Sequence, residues 1–238
     1  MTLVLDILAR ASRECSVIPP PSWLTATDPT ALEILDFLDE TRTDIQDRVE
    51  IVGPMSKSVV ITGGGSEGYD LPADFRRLQR GEYAVYERFR TRRAAVPVSD
   101  DGEWEYLKEL GTAGAYRFYR LTGFPGAWRI EFQRPLEAGI TAVVSYVSEN
   151  WVLNGSTQKA SFSNAEDQAM FPRKLLEKGI VARFRKRKGL EYADVMAEYE
   201  ALMARYSNDT RTRRRISFAS TQARSPWDVP VPDVIPSA

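Results

Sequence analysis

The residues whose types and spacing come closest to an active site are carboxylates in one acidic segment. Asp36 with Glu40, or Asp39 with Asp44, would lie on neighbouring turns of a helix. Such pairs could perform acid–base catalysis or bind a divalent cation. No lysine, histidine or glycine loop is aligned with them, and helical spacing produces such pairs by chance. We therefore predict neither a catalytic role nor a metal site for these carboxylates.

Nucleophilic chemistry also lacks its usual parts. The chain contains no histidine, which removes the commonest general base, the Ser–His and Cys–His systems, and most zinc and iron sites. Cys15 is the single cysteine and falls on the apolar side of the first predicted helix, so we expect it in the core. Ser66 has no visible base and no nucleophile elbow. We predict a protein that is not an enzyme and needs no cofactor, although carboxylate or lysine chemistry stays open.

A glycine-rich turn follows the first predicted strand, at residues 58–62. Residues 63–68, Gly-Gly-Gly-Ser-Glu-Gly, formally match the G-x-G-x-x-G pattern of dinucleotide sites. Such a site needs a helix that begins immediately after the glycines. Because Tyr69-Asp70-Leu71-Pro72 is extended in character, we predict a flexible β-turn here instead.

Two helices of opposite charge are a stronger signal. The basic set is Arg183, Arg185, Lys186, Arg187 and Lys188, and the acidic set is Asp36, Asp39, Glu40, Asp44 and Asp47. Each set could be a solvated face. The basic helix could instead contact nucleic-acid phosphates, or pair with the acidic helix of a neighbouring subunit, a head-to-tail contact of the kind that closes rings. A net charge of −1 predicts no general attraction to nucleic acid. The sequence contains no base-reading motif, so we do not expect sequence-specific regulation.

The C-terminal segment after Tyr206 is the most informative part of the chain. Four prolines, at 226, 230, 232 and 236, remove backbone donors and exclude a helix there. The same segment carries arginines and spaced apolar residues, which favour a segment that lies on another surface over a frayed terminus. The candidate anchors are Arg211, Arg213, Arg214, Arg215, Ile216, Phe218 and Trp227.

Helical periodicity places four main helices around a region of different character. They are predicted at residues 3–17, 29–50, 172–188 and 192–206, with Asp28 capping the second and a short helix at 166–170. Between them, period-two patterning predicts strands at 58–62, 82–89 and 115–121 and a hairpin of 128–132 with 141–147. A helical turn at 73–78 and a short helix at 103–110 complete this region.

These elements predict an α+β fold: a helical bundle of about four helices with an inserted small antiparallel β module and an extended C-terminal tail. The expected units are an N-terminal helix pair (1–55), the β module (56–150), the helices that complete the bundle (151–206) and an extended arm (207–238). No apolar run reaches the roughly eighteen residues of a membrane-spanning helix, and the N-terminus lacks a basic signal-peptide region. We expect a soluble protein that is made inside the cell and has no membrane partner.

The order of elements resembles the head–tail adaptor (connector) proteins of tailed bacteriophages. The resemblance covers about residues 1–206. It lies in the helix opening Leu-Val-Leu-Asp-Ile-Leu-Ala-Arg-Ala (3–11), the helix from Asp28 that ends Asp44-Ile45-Gln46-Asp47, and the stretch 69–75 entering a short helix. The strand Val143-Val144-Ser145-Tyr146 and the closing helix pair after Phe162 continue it. The arm matches no motif of that family.

The resemblance implies a structural virion protein of the phage neck, made in the host cytoplasm. It would form a ring of 12 copies beneath the portal and link the capsid to the tail, with the double-stranded genome passing non-specifically through its lumen during ejection. Its partners would be the portal protein, downstream neck or tail proteins, and further copies of itself. The alternative is a nucleic-acid-binding module, without sequence specificity, that uses the basic helix.

Overall fold

The computed structural model describes residues 2–49, 55–81, 83–88, 94–110 and 117–213. Within these residues the chain is α+β, as predicted, with five helices and twelve strands. The helices are α1 (Val4–Glu14), α2 (Pro29–Arg48), α3 (Asp101–Glu109), α4 (Arg173–Arg187) and α5 (Ala193–Arg213). The strands are β1 (Thr2–Leu3), β2 (Ser56–Thr62), β3 (Gly68–Asp70), β4 (Phe75–Leu78), β5 (Val85–Arg88), β6 (Val96–Pro97), β7 (Phe118–Phe124), β8 (Ala127–Phe132), β9 (Thr141–Ser148), β10 (Val152–Asn154), β11 (Thr157–Lys159) and β12 (Gln168–Ala169).

Helix α4 is the centre of the first hydrophobic core. It packs against α1, α2 and α5, and Leu175, Leu176, Ile180 and Val181 on its apolar side have no solvent exposure. Burial of four such side chains on one helix is a large stabilising contribution, of the order of 2 kcal/mol each. A small sheet in the order β1-β12-β10-β11 contributes to the same core. The predicted helices therefore share their core with strands that the periodicity did not indicate.

The start of α2 follows the sequence prediction in detail. The Asp28 side chain accepts a hydrogen bond from the Ala31 amide at 3.0 Å, and Pro29 occupies the first turn. An N-cap carboxylate satisfies an amide that the helix leaves unbonded, and proline loses nothing at that position.

The β module has a core of its own, between two sheets. In the first sheet β9 pairs with β2 on one edge and with β4 and β5 on the other. The second sheet has the order β3-β8-β7-β6. Ile61, Phe75 and Val144 from the first sheet meet Ile130 and Phe132 from the second in one buried cluster.

The predicted hairpin of 128–132 with 141–147 is wrong. Strand β8 pairs with β7 across the tight turn at Pro125-Gly126, whereas β9 lies in the other sheet. Alternating polarity identifies the buried face of a strand but not its partner. The true hairpin is β7–β8, and residues 133–140 cross between the sheets.

Three predicted helical segments also differ. The turn predicted at 73–78 contains strand β4, which pairs with β9. The short helix predicted at 166–170 is replaced by β12, which pairs with β10, while the Asp167 carboxylate accepts bonds from the Ser163 and Asn164 amides. Helix α5 does not end at Tyr206 but continues to Arg213, so the predicted boundary of the arm falls inside a helix.

The β module is attached to the end of α2 by polar side chains. Gln46 donates from Nε2 to the Glu149 carbonyl at 3.0 Å, and Arg77 donates from Nε to the Gln46 carbonyl at 3.0 Å. Arg76 forms an ion pair with Asp47 at 2.9 Å. Gln46 is buried, so its bonds are made in a desolvated position where an unpaired amide would be costly.

The glycine turn at 63–68 leads directly into strand β3, with no helix at the position that a dinucleotide site requires. The Gly63 and Gly65 amides donate to the carbonyls of Ile140 and Leu136. These donors are therefore used within the β module. None of the helices in the described ranges combines the length and hydropathy needed to cross a membrane.

Candidate assembly interface

Asp44 on α2 is the centre of a polar network that joins three helices. Its Oδ2 accepts hydrogen bonds from Arg183 Nη2 of α4 at 2.9 Å and from Tyr199 Oη of α5 at 2.7 Å. The Arg183 guanidinium lies 5.3 Å from the centre of the Tyr199 ring and also donates to Thr41. Arg48 continues the network, since it pairs with both Asp44 and Glu200.

The charges in this network stabilise one another. Partial burial acts to raise the pKa of Asp44, but the hydrogen bonds from Tyr199 and Arg183 and the charges of Arg48 and Arg183 outweigh it and lower the pKa. Burial, followed by the bond to Asp44, raises the pKa of the Tyr199 hydroxyl. Asp44 is thus an ionised acceptor and Tyr199 a neutral donor over the whole physiological pH range.

Gly179 explains how closely α4 can approach its two neighbours. A Cβ atom placed there would overlap the Thr41 methyl group of α2 and would lie 2.9 Å from Cε2 of Tyr199 on α5. Only glycine leaves room for both contacts. The network and the crossing point therefore fix the relative positions of the three helices.

We expect Tyr199→Phe to lower the free energy of unfolding by about 1–2 kcal/mol, because the Asp44 carboxylate loses a buried donor while the aromatic packing is kept. The measurement is urea unfolding at neutral pH. Tyr106→Phe is the matched control, since Tyr106 is 61% exposed and its loss of a hydroxyl should change stability by less than about 0.5 kcal/mol. Equal effects of the two substitutions would contradict the role assigned to the Tyr199 hydroxyl.

The predicted acidic and basic sets meet within one chain. Arg183 pairs with Asp44 and, at 3.7 Å, with Glu40. Lys188 and Arg187 pair with Glu33 at 2.7 Å and 3.9 Å. Asp39 pairs with Arg42, and Asp47 with Arg76. Most of the charge complementarity between α2 and α4 is therefore used for packing inside the subunit.

Asp36 and Lys186 differ from the other members of the two sets. Both are exposed, and no side-chain partner for either occurs among the residues that the structure describes. Within the described part of the chain, Arg185 has one hydrogen-bond partner, the Glu14 carbonyl at 3.4 Å. Lys186 also borders an open groove of about 510 Å³ between α2, α4 and α5, floored by Phe37 and Met196. The inter-subunit role of the two sets stays a prediction, and these three residues are the members best placed for it.

The predicted anchors of the arm fall mostly beyond the described residues. Arg211 and Arg213 belong to the last turns of α5. Arg214, Arg215, Ile216, Phe218 and Trp227 lie outside the described residues, so their role as partner-binding residues stays a prediction.

Two exposed apolar features were missed by the sequence analysis. Phe124, at the tip of the β7–β8 hairpin, is 67% exposed, and Val60 in β2 is 47% exposed. The sequence did indicate the exposure of Val60. In the run Ser-Val-Val-Ile-Thr (58–62) three apolar residues are consecutive, whereas a strand with one solvent-exposed face alternates apolar and polar residues. Both features are surfaces that another protein could cover.

No group of three or more carboxylate, cysteine or histidine side chains in the described ranges is arranged to hold a metal ion. Cys15 is buried, and this burial raises the pKa of its thiol to about 11, which disfavours the reactive thiolate.

A family model described as SU10 adaptor protein matches residues 1–230 of the chain. A search among curated proteins found no match.

Proposed function

Because the chain belongs to the SU10 adaptor protein family, a family of phage head–tail adaptors, we propose that it forms a ring beneath the portal in the phage neck. Membership of the family makes it a structural component of the virion that contacts other neck or capsid proteins. We propose that this ring has 12 copies and links the portal to downstream neck or tail proteins. The genome would pass through the lumen of this ring.

The extent of the family match is the observation that carries this proposal. The match runs to residue 230, beyond the end of α5 and through all the predicted anchors of the arm. A segment that lies within the family pattern, and that combines helix-excluding prolines with arginines and spaced apolar residues, is suited to a contact between proteins. We propose that residues after Arg213 bind the portal, with the arginines against acidic portal surface and Phe218 and Trp227 in apolar pockets.

Contacts between subunits of the ring would use charged side chains that have no ion-pair partner among the described residues of their own subunit. We propose that Asp36 of one copy faces Arg185 and Lys186 of the next, a heterologous arrangement that can close a ring. The two cores suggest the working units: residues 56–148 as one, and the helices of 1–49 and 151–213 as the other.

The nucleic-acid alternative has less support. Arg183, Arg187 and Lys188 are already paired with carboxylates of α2, which leaves Arg185 and Lys186 of the predicted basic set for phosphate contacts. Salt-dependent binding of the isolated protein to generic duplex DNA would favour this alternative.

We expect a chain that ends at Arg213 to fold normally but to lose its attachment to the portal. The physical reason is that the removed residues carry the proposed anchors, whereas the truncated chain keeps α5 and every core residue that the structure describes. Co-sedimentation with purified portal protein measures the attachment, and thermal unfolding of the truncated chain verifies its fold.

A full-length control separates the anchors from the length of the arm. The double substitution Arg214→Glu, Arg215→Glu should weaken attachment at least about tenfold, the effect of losing about 1.4 kcal/mol, and should remove its sensitivity to salt. Normal joining by the truncated chain would overturn the portal assignment.

A further inference from the structure

Among the strands that the structure describes, β2 has an open sheet edge. It ends the strand order β2-β9-β4, and with seven residues it is the longest edge strand among the described residues. Exposed edges of this length are sites where another strand can add, because their amides and carbonyls are unpaired.

The register shows which groups of β2 are available. The Gly63 amide donates to the Ile140 carbonyl, and the Ser148 amide donates to the Met55 carbonyl. In an antiparallel ladder the hydrogen-bonded residues alternate, so the odd-numbered residues of β2 direct their amides and carbonyls towards β9. The even-numbered residues, Ser56, Ser58, Val60 and Thr62, direct their amides and carbonyls away from it.

An apolar row ends at this edge. Val143 of β9 lies between Val60 of β2 and Tyr86 of β5 as a cross-strand neighbour of each. Val143 is 6% exposed, but Val60 is 47% exposed. One more apolar side chain beside Val60 would complete the row and remove it from water.

The arm contains a segment with the complementary pattern. Its prolines, at 226, 230, 232 and 236, all occupy even positions. In an extended strand their missing amides all fall on the same edge, so within the segment 229–235 that edge keeps only the Val234 amide as a donor and the opposite edge is the better one for pairing with a sheet. Val229, Val231, Asp233 and Ile235 keep their amides on the other side. Proline is tolerated in an edge strand when its nitrogen faces solvent.

We propose that residues 229–235 of one copy add as an antiparallel strand to β2 of a neighbouring copy. Both segments have seven residues and four outward-bonding positions. Aligned in full, they place Val231 directly opposite Val60, on the same face of the sheet. The prolines then form the new edge and prevent a further strand from adding.

A neighbouring copy is the source because this pairing is heterologous, arm to edge, and such contacts close into rings. Residues 214–228 span up to about 50 Å when extended, enough to reach an adjacent subunit. This part of the inference rests on the proposed ring, but it needs no portal protein. It leaves Arg211–Phe218 and Trp227 for the portal.

Amide hydrogen exchange of the full-length protein, resolved by residue, tests the pairing. We expect the amides of Ser58, Val60 and Thr62 to exchange at least about tenfold more slowly as protein concentration rises. The amides of Val59 and Ile61, which bond β9, should be slow throughout. Val229→Pro should abolish the concentration effect because it removes a donor that faces β2. Val234→Pro, the matched control, should preserve it because the amide of position 234 lies on the edge that faces away from β2.

A mixing experiment identifies the source of the strand. A Val60→Cys chain mixed with a Val231→Cys chain should give a disulfide-linked dimer, since directly opposed residues lie within disulfide reach. A Pro232→Cys chain used in place of the Val231→Cys chain should not form this disulfide, because the side chain of position 232 lies on the opposite face of the sheet from Val60. Slowing that does not depend on concentration, or equal slowing in the wild type and Val229→Pro, would overturn the proposal. So would the absence of slowing in the wild type. None of these results bears on portal attachment, which the Arg214 and Arg215 substitutions test separately.

Discussion

Replacing Asp167 by asparagine is expected to lower the free energy of unfolding by about 3–5 kcal/mol. Its carboxylate has no solvent exposure and binds Lys159 Nζ at 2.8 Å. Oδ1 also accepts from Asn154, and Oδ2 accepts from the Ser163 and Asn164 amides. The N–H groups of an asparagine side chain would point at N–H groups that now donate to the carboxylate. Lys159 would also lose its counter-charge, and removing one partner of a buried ion pair costs several kcal/mol.

This carboxylate also makes stability depend on pH. Burial acts to raise the pKa of Asp167, but Lys159 and the three other donors lower it to about 2 from 3.8. Because the folded pKa lies below the unfolded one, the contribution is complete above about pH 5 and is lost as the pH falls towards 2. We expect the wild type to lose about 2 kcal/mol over that range through this group, and Asp167→Asn to lack this component.

Urea unfolding between pH 7 and pH 2 measures both effects. Asp70→Asn is the matched control, since the Asp70 side chain is 85% exposed in its pair with Arg129. Its replacement should change stability by less than about 0.5 kcal/mol. If Asp167→Asn is as mild as the control, Asp167 does not hold its loop in the way assigned here.

Gly179→Ala should destabilise the protein by about 1–3 kcal/mol, although alanine is the better helix former. Removing glycine from a helix interior ordinarily gains about 1 kcal/mol. Here the added methyl overlaps Thr41 and the Tyr199 ring, so the three helices must move apart or adopt strained rotamers. Because the Asp44–Arg183–Tyr199 network spans the same crossing, the separation would also lengthen its hydrogen bonds.

Gly102→Ala provides the matched helical control. A methyl group there meets only a side-chain oxygen of Asp100, at 3.2 Å, so this substitution should be neutral or stabilising. Thr41→Ser in the Gly179→Ala background should restore part of the loss, because serine removes the methyl group and keeps the hydroxyl that Arg183 contacts. Thermal unfolding of the four proteins checks this, and absence of any rescue by Thr41→Ser would contradict the overlap as the cause.

The helices were the predictable part of this fold, for local reasons. Asp28-Pro29 specified the start of α2, and Leu175, Leu176, Ile180 and Val181 formed a stripe that only a helix buries on one side. The end of α5 was misplaced because Ser207, Asn208 and Asp209 are poor helix formers, and the helix nevertheless continues through them.

Strand partners and ion pairs were not predictable from local pattern. The hairpin was assigned to residues adjacent in sequence, whereas β9 lies in a different sheet from β8 and pairs with β2, about eighty residues away. Likewise the opposite charges of α2 and α4 suggested a contact between subunits, yet Arg183 reaches Asp44 in the same chain. Charge pattern shows that two helices are complementary, but only packing decides in which molecule they meet.

The polar attachment of the β module to α2 has a mechanical consequence. The bonds of Gln46, Arg76 and Arg77 lie side by side at the end of one helix, so a pull on the module loads them together rather than one after another. Bonds that share a load in this way yield only when several break at once. The pull then passes along α2 to its crossing with α4, which makes the joint stiff under tension.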